Sequence, residues 1–451
     1  MDTDAEKDST RWSIIASGEG ANRISFLYYA LHKNPAIEDR VLLLNTTTAD
    51  VKPEKTFEYM LTKEPNFQKV FDEVKRDKIC IFGKSPSGAG NNWKVGENEA
   101  RDDFDTIRRY VSNLRLSSRD VVFCITTLGG GTGNGSVPYL INRLKYERAL
   151  TSVGENSFMA LGIIPYDFEP SQRFFNTICG ITRLLRYGEK DMQNADMVLF
   201  VDNSQVENLL GTRESETIER YYRINEEIIK VVDMMIAPGG KGAKSTIDVA
   251  DYYQLPSNIG TYHFTPCMSI GNDPEIFGID TALDTAVDRP MVSIDSKTAT
   301  MAYIIAVAPK KYVDDGTFSQ EDFEEISRKW AINNMAGSRG GILRYSSLIA
   351  SKETETLDIM VLLGGFSLEN IISKSLQKYY DFRESLEIKD GAAELVDENN
   401  SKIKVKINIK DIEIIEERIK NYIALTEEKI KQLQKKEIDV DKKLAEWGFH
   451  V

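Results

Sequence analysis

The stretch that most limits what this chain can become is Thr127-Leu128-Gly129-Gly130-Gly131-Thr132-Gly133-Asn134-Gly135-Ser136. It follows an apolar run, Val121 to Ile125, that reads as a buried parallel strand, and it precedes Val137-Pro138-Tyr139-Leu140-Ile141, which opens an amphipathic helix. Five glycines among the seven residues Gly129 to Gly135 let the main chain turn its N–H groups inward with no Cβ in the way. The start of a helix adds about half a positive charge. Such a loop can cradle phosphate. It is also found as a tight turn in doubly wound folds of many functions, and here neither GxGxxG nor the Walker pattern fits, since no Lys follows.

Composition narrows the class. At 451 residues the chain is long enough for two or three domains, and 41% hydrophobic with 28% charged residues is the balance of a soluble globular protein. A net charge of −13 argues against a general surface that wraps nucleic acid, so no direct nucleic-acid partner is expected. Cys80, Cys124, Cys179 and Cys267 have no CxxC spacing and read as buried free thiols in a reducing compartment. With three histidines, His32, His263 and His450, a histidine-based metal or triad chemistry is not expected. Met1 to Arg11 is polar and acidic, unlike a signal peptide, and no apolar run approaches the roughly 20 residues of a membrane span. A cytoplasmic protein is expected.

Residue by residue, the glycine loop resembles the signature loop of the tubulin/FtsZ family, GGGTG[TS]G, with Asn134 as its departure. The resemblance recurs in order along the chain. Trp12 to Ala16 reads as a strand, followed by Ser17-Gly18-Glu19-Gly20-Ala21-Asn22 and a helix from Arg23 to His32; this is similar to the family's first loop, GGxGGN, with Gly18, Gly20 and Asn22 matched. Arg40 to Leu44 reads as a strand ending in Asn45-Thr46-Thr47-Thr48-Ala49-Asp50. That end resembles the NTDAQ loop, with Asn45 and Thr46 kept and Thr47 in place of an acidic residue. Lys78 to Phe82 reads as a third strand, leading to Ser87-Gly88-Ala89-Gly90-Asn91-Asn92-Trp93-Lys94-Val95-Gly96. This is similar to GAGANPEVG, the loop whose amides sense the terminal phosphate in the family. After a strand from Phe158 to Ile164, the stretch Pro165 to Arg173 resembles PFxFEGxxR, in which the acid holds ribose and the arginine the phosphates; Glu169 and Arg173 fall on those positions. The two are also spaced as a plain helix-surface ion pair.

Asp196 to Val201 reads as another strand. Glu216 to Ala237 then carries the helical period in Ile218, Tyr221, Tyr222, Ile228, Ile229, Val232 and Met235, and Pro238-Gly239-Gly240 stops it. The resemblance makes this the core helix between two domains, with Asn225 reading guanine and Tyr221, one turn earlier, stacking on the base. On pattern alone Tyr221 is a core residue. Beyond it, Thr246-Ile247-Asp248-Val249-Ala250-Asp251 places two carboxylates at a helix start, where they suit capping. The resemblance implies more. In FtsZ-like proteins the segment NxDxAD enters the nucleotide site of the next subunit in a filament, and Asp248 and Asp251 would there orient the water that attacks the γ-phosphate.

Strands at Thr300 to Pro309, Ser346 to Ser351 and Leu357 to Gly364, with a helix at Gln320 to Met335, suit a second, smaller unit. From Ser367 the family motifs stop. A helix to Glu387 is expected, then a strand over Lys402 to Lys410 paired with Glu394 to Glu398 across Asn399-Asn400-Ser401. Asp411 to Trp447 reads as one long helix with a stripe of Ile412, Ile415, Ile419, Tyr422, Ile423, Ile430, Leu433 and Leu444. That stripe suits the body of the protein or a neighbouring subunit, or a coiled coil with an adaptor protein.

The expected fold is α/β: a Rossmann-like GTPase domain with a parallel sheet over 12–212, a long core helix over 213–238, a second smaller α/β domain with the acid loop over 239–366, and a C-terminal helical extension over 367–451. The resemblance implies GTP or GDP with Mg2+ as cofactors, and the chain itself as partner in head-to-tail filaments serving DNA segregation, cell shape or division. Gly18, Gly20, Asn22, Asn45, Thr46, Gly88, Ala89, Gly90, Gly129, Gly130, Gly131, Thr132, Gly133, Asn134 and Gly135 would surround the phosphates. The departures at Glu19, Thr47, Asn134 and Thr246 fit a second reading, a filament or scaffold that binds GTP and hydrolyses it poorly. A dinucleotide-binding enzyme of Rossmann type is a third.

Overall fold

The computed structural model describes residues 11–31, 34–51, 62, 67–84, 88–116, 120–146, 156–188, 192–212, 217–240, 242–336, 344–389, 392–394 and 406–435. Its first half alternates strand and helix. The strands β1 (Trp12–Ser17), β2 (Val41–Asn45), β3 (Ile79–Ile81), β4 (Val121–Thr127), β5 (Ser157–Ile164) and β6 (Met197–Asp202) run parallel in the order β3-β2-β1-β4-β5-β6. Runs such as Val121-Val122-Phe123-Cys124-Ile125 lack polar alternation because both faces of these strands are covered.

Helices form a layer on each face. One layer holds α1 (Glu19–Leu31) and the long helix; the other holds α2 (Trp93–Asp102), α3 (Thr132–Tyr146) and α4 (Ser171–Leu185). The long helix appears after the short α5 (Asn203–Leu210) as α6 (Thr217–Ile236), and α7 (Val249–Ile259) follows it. The strands β7 (His263–Asn272), β8 (Met301–Pro309), β9 (Arg344–Ser351) and β10 (Leu357–Gly364) continue the same sheet in the order β7-β10-β8-β9. The join is short, Val198 with His263 and Leu199 with Phe264. The strands expected of a second unit are therefore present, in one ten-stranded sheet with the first.

Two helix starts differ from expectation. α1 begins at Glu19 and not at Arg23, and α3 begins at Thr132 and not at Val137, so Gly20, Gly133 and Gly135 lie inside helical turns. Glycine is disfavoured there by propensity, but the fold needs the space. A Cβ on Gly133 would stand 2.1 Å from Ser17 O, and one on Gly135 would stand 2.2 Å from Trp93 O. Pro138, inside α3, has no N–H for Asn134 O, and that carbonyl accepts instead from Arg183 Nη1 at 2.9 Å. Arg183 is buried, lies 4.4 Å from the centre of the Trp93 ring and pairs with the Glu97 carboxylate. One side chain of α4 thus ties α2 to α3.

After β10 come α8 (Glu369–Ser385), a small antiparallel sheet of β11 (Glu387–Lys389), β12 (Ala392–Glu394) and β13 (Lys406–Asn408), and α9 (Ile409–Lys435). Of the strand pairing expected between Lys402–Lys410 and Glu394–Glu398, the described residues show Glu394 with Lys406; the pairing continues before the expected strand, Ala393 with Ile407 and Ala392 with Asn408, and Ile409 and Lys410 already belong to α9. The turn at Asn399 to Ser401, the strand before Lys406 and the helix beyond Lys435, Leu444 included, lie outside the described residues. α9 lies along the body: Ile412, Ile415, Ile419 and Tyr422 are buried in the core that α4 and α8 share, and Ile430 further along is buried as well. From Ile412 to Tyr422 the apolar stripe offered to an adaptor coiled coil is therefore covered by this chain itself. Among the described residues no helix is long and apolar enough to cross a membrane.

Candidate functional site

The C-terminal ends of the parallel strands open onto a cleft of about 580 Å3, where a doubly wound sheet places its ligands. Segments distant in sequence converge there. Gly18 and Gly20 follow β1, and Gly129, Gly130, Gly131, Thr132 and Gly133 follow β4; Gly88, Ala89 and Gly90 arrive from the loop before α2. Gly18 has φ +87°, a conformation that suits glycine and lets the chain leave β1 for α1 at once. Glu169 and Arg173 line the cleft after β5, while Tyr221 and Asn225 line it from one face of α6, a turn apart.

Five residues expected around phosphate stand behind this lining. Asn22 is buried and donates from Nδ2 to Leu44 O at 3.2 Å. Asn45 Oδ1 accepts the N–H of Thr46 at 2.8 Å, closing the turn after β2, and Thr46 Oγ1 meets Thr132 Oγ1 at 2.8 Å. Asn134 is fully buried and donates from Nδ2 to Leu128 O and Asn176 O, and Gly135 packs against α2. These residues shape the wall from behind. At Asn134 the reason is that α3 starts early, which turns its side chain toward α4.

The charges are paired locally. Glu19, an acid among phosphate-type loops, is bonded to Arg23 at 2.6 Å one helical turn on. Glu169 and Arg173 form the ion pair that their spacing allows, at 3.2 Å, and both still line the cleft; Glu169 Oε1 also accepts the Tyr166 N–H at 2.9 Å. The Nε of Arg23 is buried at the cleft and has no hydrogen-bond partner among the described residues, while the Nη2 of the same guanidinium holds Glu19. Tyr166 meets Tyr221 edge-on at 5.6 Å, so Tyr221 serves both core and cleft. Burial raises the pKa of both phenols above the ordinary value. Among the described residues no three His, Cys, Asp or Glu side chains converge to hold a metal ion.

Motif reading passed over Arg23, Asp50, Tyr166 and Asn203, which also line the cleft. Arg23 was detectable as the partner four residues after Glu19, and Asn203 as the residue directly after β6. Two lysines of α8 had no such signal. Lys374 bridges the carboxylates of Asp167 and Asp202, and Lys378 donates to the carbonyls of Asp167 and Glu169, so α8 holds the loop that carries Glu169.

Asp248 and Asp251 lie elsewhere. They form a capping box at the start of α7, with Asp248 Oδ1 accepting the Asp251 N–H at 3.0 Å and Asp251 Oδ2 accepting the Asp248 N–H at 2.9 Å. Tyr303 donates to Asp251 O at 2.7 Å. Asp248 is exposed, and neither acid lines the cleft of its own chain.

The profile of the Tubulin/FtsZ family, GTPase domain, matches residues 31–211. Cell division protein FtsZ 1 of Methanocaldococcus jannaschii is 26% identical over 241 residues, which span 52% of this chain and 59% of the relative. FtsZ 1 of Thermococcus kodakarensis is 28% identical over 241 residues, 51% and 56% of the two chains. The chain thus spans a little over half the length of these curated relatives. In three dimensions it resembles CetZ1 of Haloferax volcanii, a GDP-bound monomer, with TM-score 0.65, 18% identity and 83% of this chain covered against all of that one. CetZ2 of the same organism, a GTPγS-bound protofilament, follows with TM-score 0.62, 18% identity and the same coverage. The order of strands and loops, the cleft they enclose and these likenesses agree in supporting membership of the tubulin/FtsZ superfamily, whose GTPase-domain profile matches residues 31–211.

Proposed function

We propose that this protein binds GTP in the cleft and assembles head to tail, so that Asp248 and Asp251 of one subunit complete the site of the next and hydrolyse GTP there. One observation carries the reading. The glycine loops meet the N-terminal half of α6 at Tyr221 and Asn225, and the acid pair stands beyond its C-terminal end, on the exposed start of α7. A lone molecule has the cradle without the acids; a head-to-tail contact supplies them. The glycine-loop amides, with Arg23 and Arg173, suit a triphosphate. Glu169 suits ribose hydroxyls, and Asn225 and Tyr221 suit a purine edge and face. Magnesium would enter with the phosphates, held by their oxygens and by water, as is usual for that ion. The CetZ2 protofilament with GTPγS supports self-assembly of this architecture.

The capping box favours a second reading. Each acid already spends one carboxylate oxygen on a backbone amide, as expected of a filament in which GTP mainly joins subunits. Phosphate release measured at a series of protein concentrations separates the two. Shared-site hydrolysis rises faster than linearly with concentration; a linear dependence, or none above background, removes the hydrolytic reading. Calorimetry with GTP against ATP and NAD checks the ligand itself.

A further inference from the structure

Asn134, where the chain departs from the family's signature loop, has a counterpart that no motif marks: Asn176, on α4. Asn176 is 1% exposed and lies outside the cleft lining. Its Nδ2 donates to Asn91 O at 2.6 Å and to Gly129 O at 2.9 Å, with Gly130 O at 3.5 Å. Its own main-chain carbonyl accepts from Asn134 Nδ2 at 2.7 Å, and that same amide reaches Leu128 O at 2.6 Å. Every one of these acceptors is a carbonyl, which cannot donate, so the orientation of both side-chain amides is fixed. Gly180 makes room for them: a Cβ there would stand 2.3 Å from Asn134 Oδ1.

We propose that Asn176 and Asn134 are positioning residues that aim the amides of the glycine loops at the phosphates of the bound nucleotide. In a trans peptide the C=O and the following N–H point in opposite directions. Drawing Leu128 O and Gly129 O back into the protein turns the N–H groups of Gly129 and Gly130 toward the cleft that both residues line. Through Asn91 O, Asn176 also holds the Gly88–Gly90 loop at one spacing from the signature loop. A hydroxyl at 134 has one proton to give and reaches one of the two carbonyls; the amide has two and reaches both. Asn134 thus replaces a small side chain by a clip to α4. The ligand in this inference is the one named under the proposed function; the clip itself stands on the geometry above.

The test compares a ligand that has phosphates with one that lacks them. Affinities for GDP and for guanosine are measured on the full chain for wild type, Asn176→Ala, Asn176→Asp and Asn134→Ser. The expected result is GDP binding weakened at least about tenfold in each variant, the size of one lost hydrogen bond to a charged group, with guanosine binding unchanged. Equal weakening of both ligands, as general loosening of the fold produces, overturns the proposal, and so does unchanged GDP binding. Circular dichroism shows whether each variant folds, and Asn134→Ser leaves Asn176 in place should its replacements not fold. If wild type takes up neither ligand, the GTP reading has failed, and this inference falls with it.

Discussion

Tyr252 donates its hydroxyl proton to Met235 O at 2.9 Å, and this buried contact ties the helix that follows the acid pair to the far end of α6. Asn225 faces the cleft ten residues earlier, about 15 Å back along the helix axis at 1.5 Å per residue. The side chains of Asp248 and Asp251 are too short to span that separation within one chain.

Complementation between defective subunits follows. Asp251→Ala is expected to lower GTP hydrolysis about a hundredfold at saturating nucleotide, while loss of the cap costs about 1 kcal/mol of stability. Arg173→Ala, defective in the cleft, fails alone as well. Mixed in equal amounts, the two should recover about a quarter of wild-type phosphate release, since about a quarter of head-to-tail contacts then join an intact cleft to intact acids. No recovery in the mixture, with both variants folded and assembling, excludes the shared site.

Gly133 answers to close approach. Its missing Cβ would lie 2.1 Å from Ser17 O and 2.7 Å from Thr126 Oγ1, so Gly133→Ala must push β1 away from α3. A loss of about 1–3 kcal/mol in urea unfolding and of nucleotide uptake is expected. Gly239→Ala, with no neighbour within 4 Å of the added carbon, is the control and should stay within about 0.5 kcal/mol of wild type.

His263 makes stability depend on pH. Its Nε2 faces Phe366 O at 2.7 Å, a carbonyl that only accepts, so Nε2 carries the proton and Nδ1 accepts from Tyr422 at 2.9 Å. Burial pushes the imidazole from 6.5 down to about 4; the bond to Phe366 O opposes this, and Lys429 adds to it. The unfolded chain therefore takes up the proton first as pH falls. The stability is complete above about 6.5 and is lost progressively between 6.5 and 4, to a total of about 3 kcal/mol. His263→Gln does not titrate, and denaturant midpoints at pH 7.5, 6 and 5 should fall more steeply for wild type than for this variant.

The thiols should be silent. Burial raises Cys80, Cys124 and Cys179 to about 12 and Cys267 further, and all four are buried. At pH 8 a disulfide reagent is expected to label none of the four in the native protein and all of them in denaturant, because the thiolate is the reacting form. Rapid labelling of a native thiol contradicts the packing around the sheet.

Much of the first half was legible. Strands such as Val121 to Thr127 are long apolar runs, and a parallel strand covered on both faces has no other way to look. The loops between them carry glycines at close approaches, which chain order alone exposes. β7 was harder, because Pro266 interrupts its pattern, yet it is the strand that joins the two halves of the sheet. The helix starts at Glu19 and Thr132 were hidden for the opposite reason. Glycine argues locally against a helix, and the helix is held there by neighbours far away in the chain.

What the sequence determined by itself was the order of strand, glycine loop and helix, the period of α6 and the pairing of acids at a helix start, since each depends on residues within a few positions of one another. Tertiary structure alone decided which residues face the cleft and which stand behind it. It turned Asn134 toward Asn176, brought Arg23 to the rim, gave Lys374 and Lys378 the loop of Glu169, and laid α9 on the body of the protein. Those relations join residues tens to hundreds of positions apart, and no local period encodes which distant carbonyl a buried amide or ammonium will find.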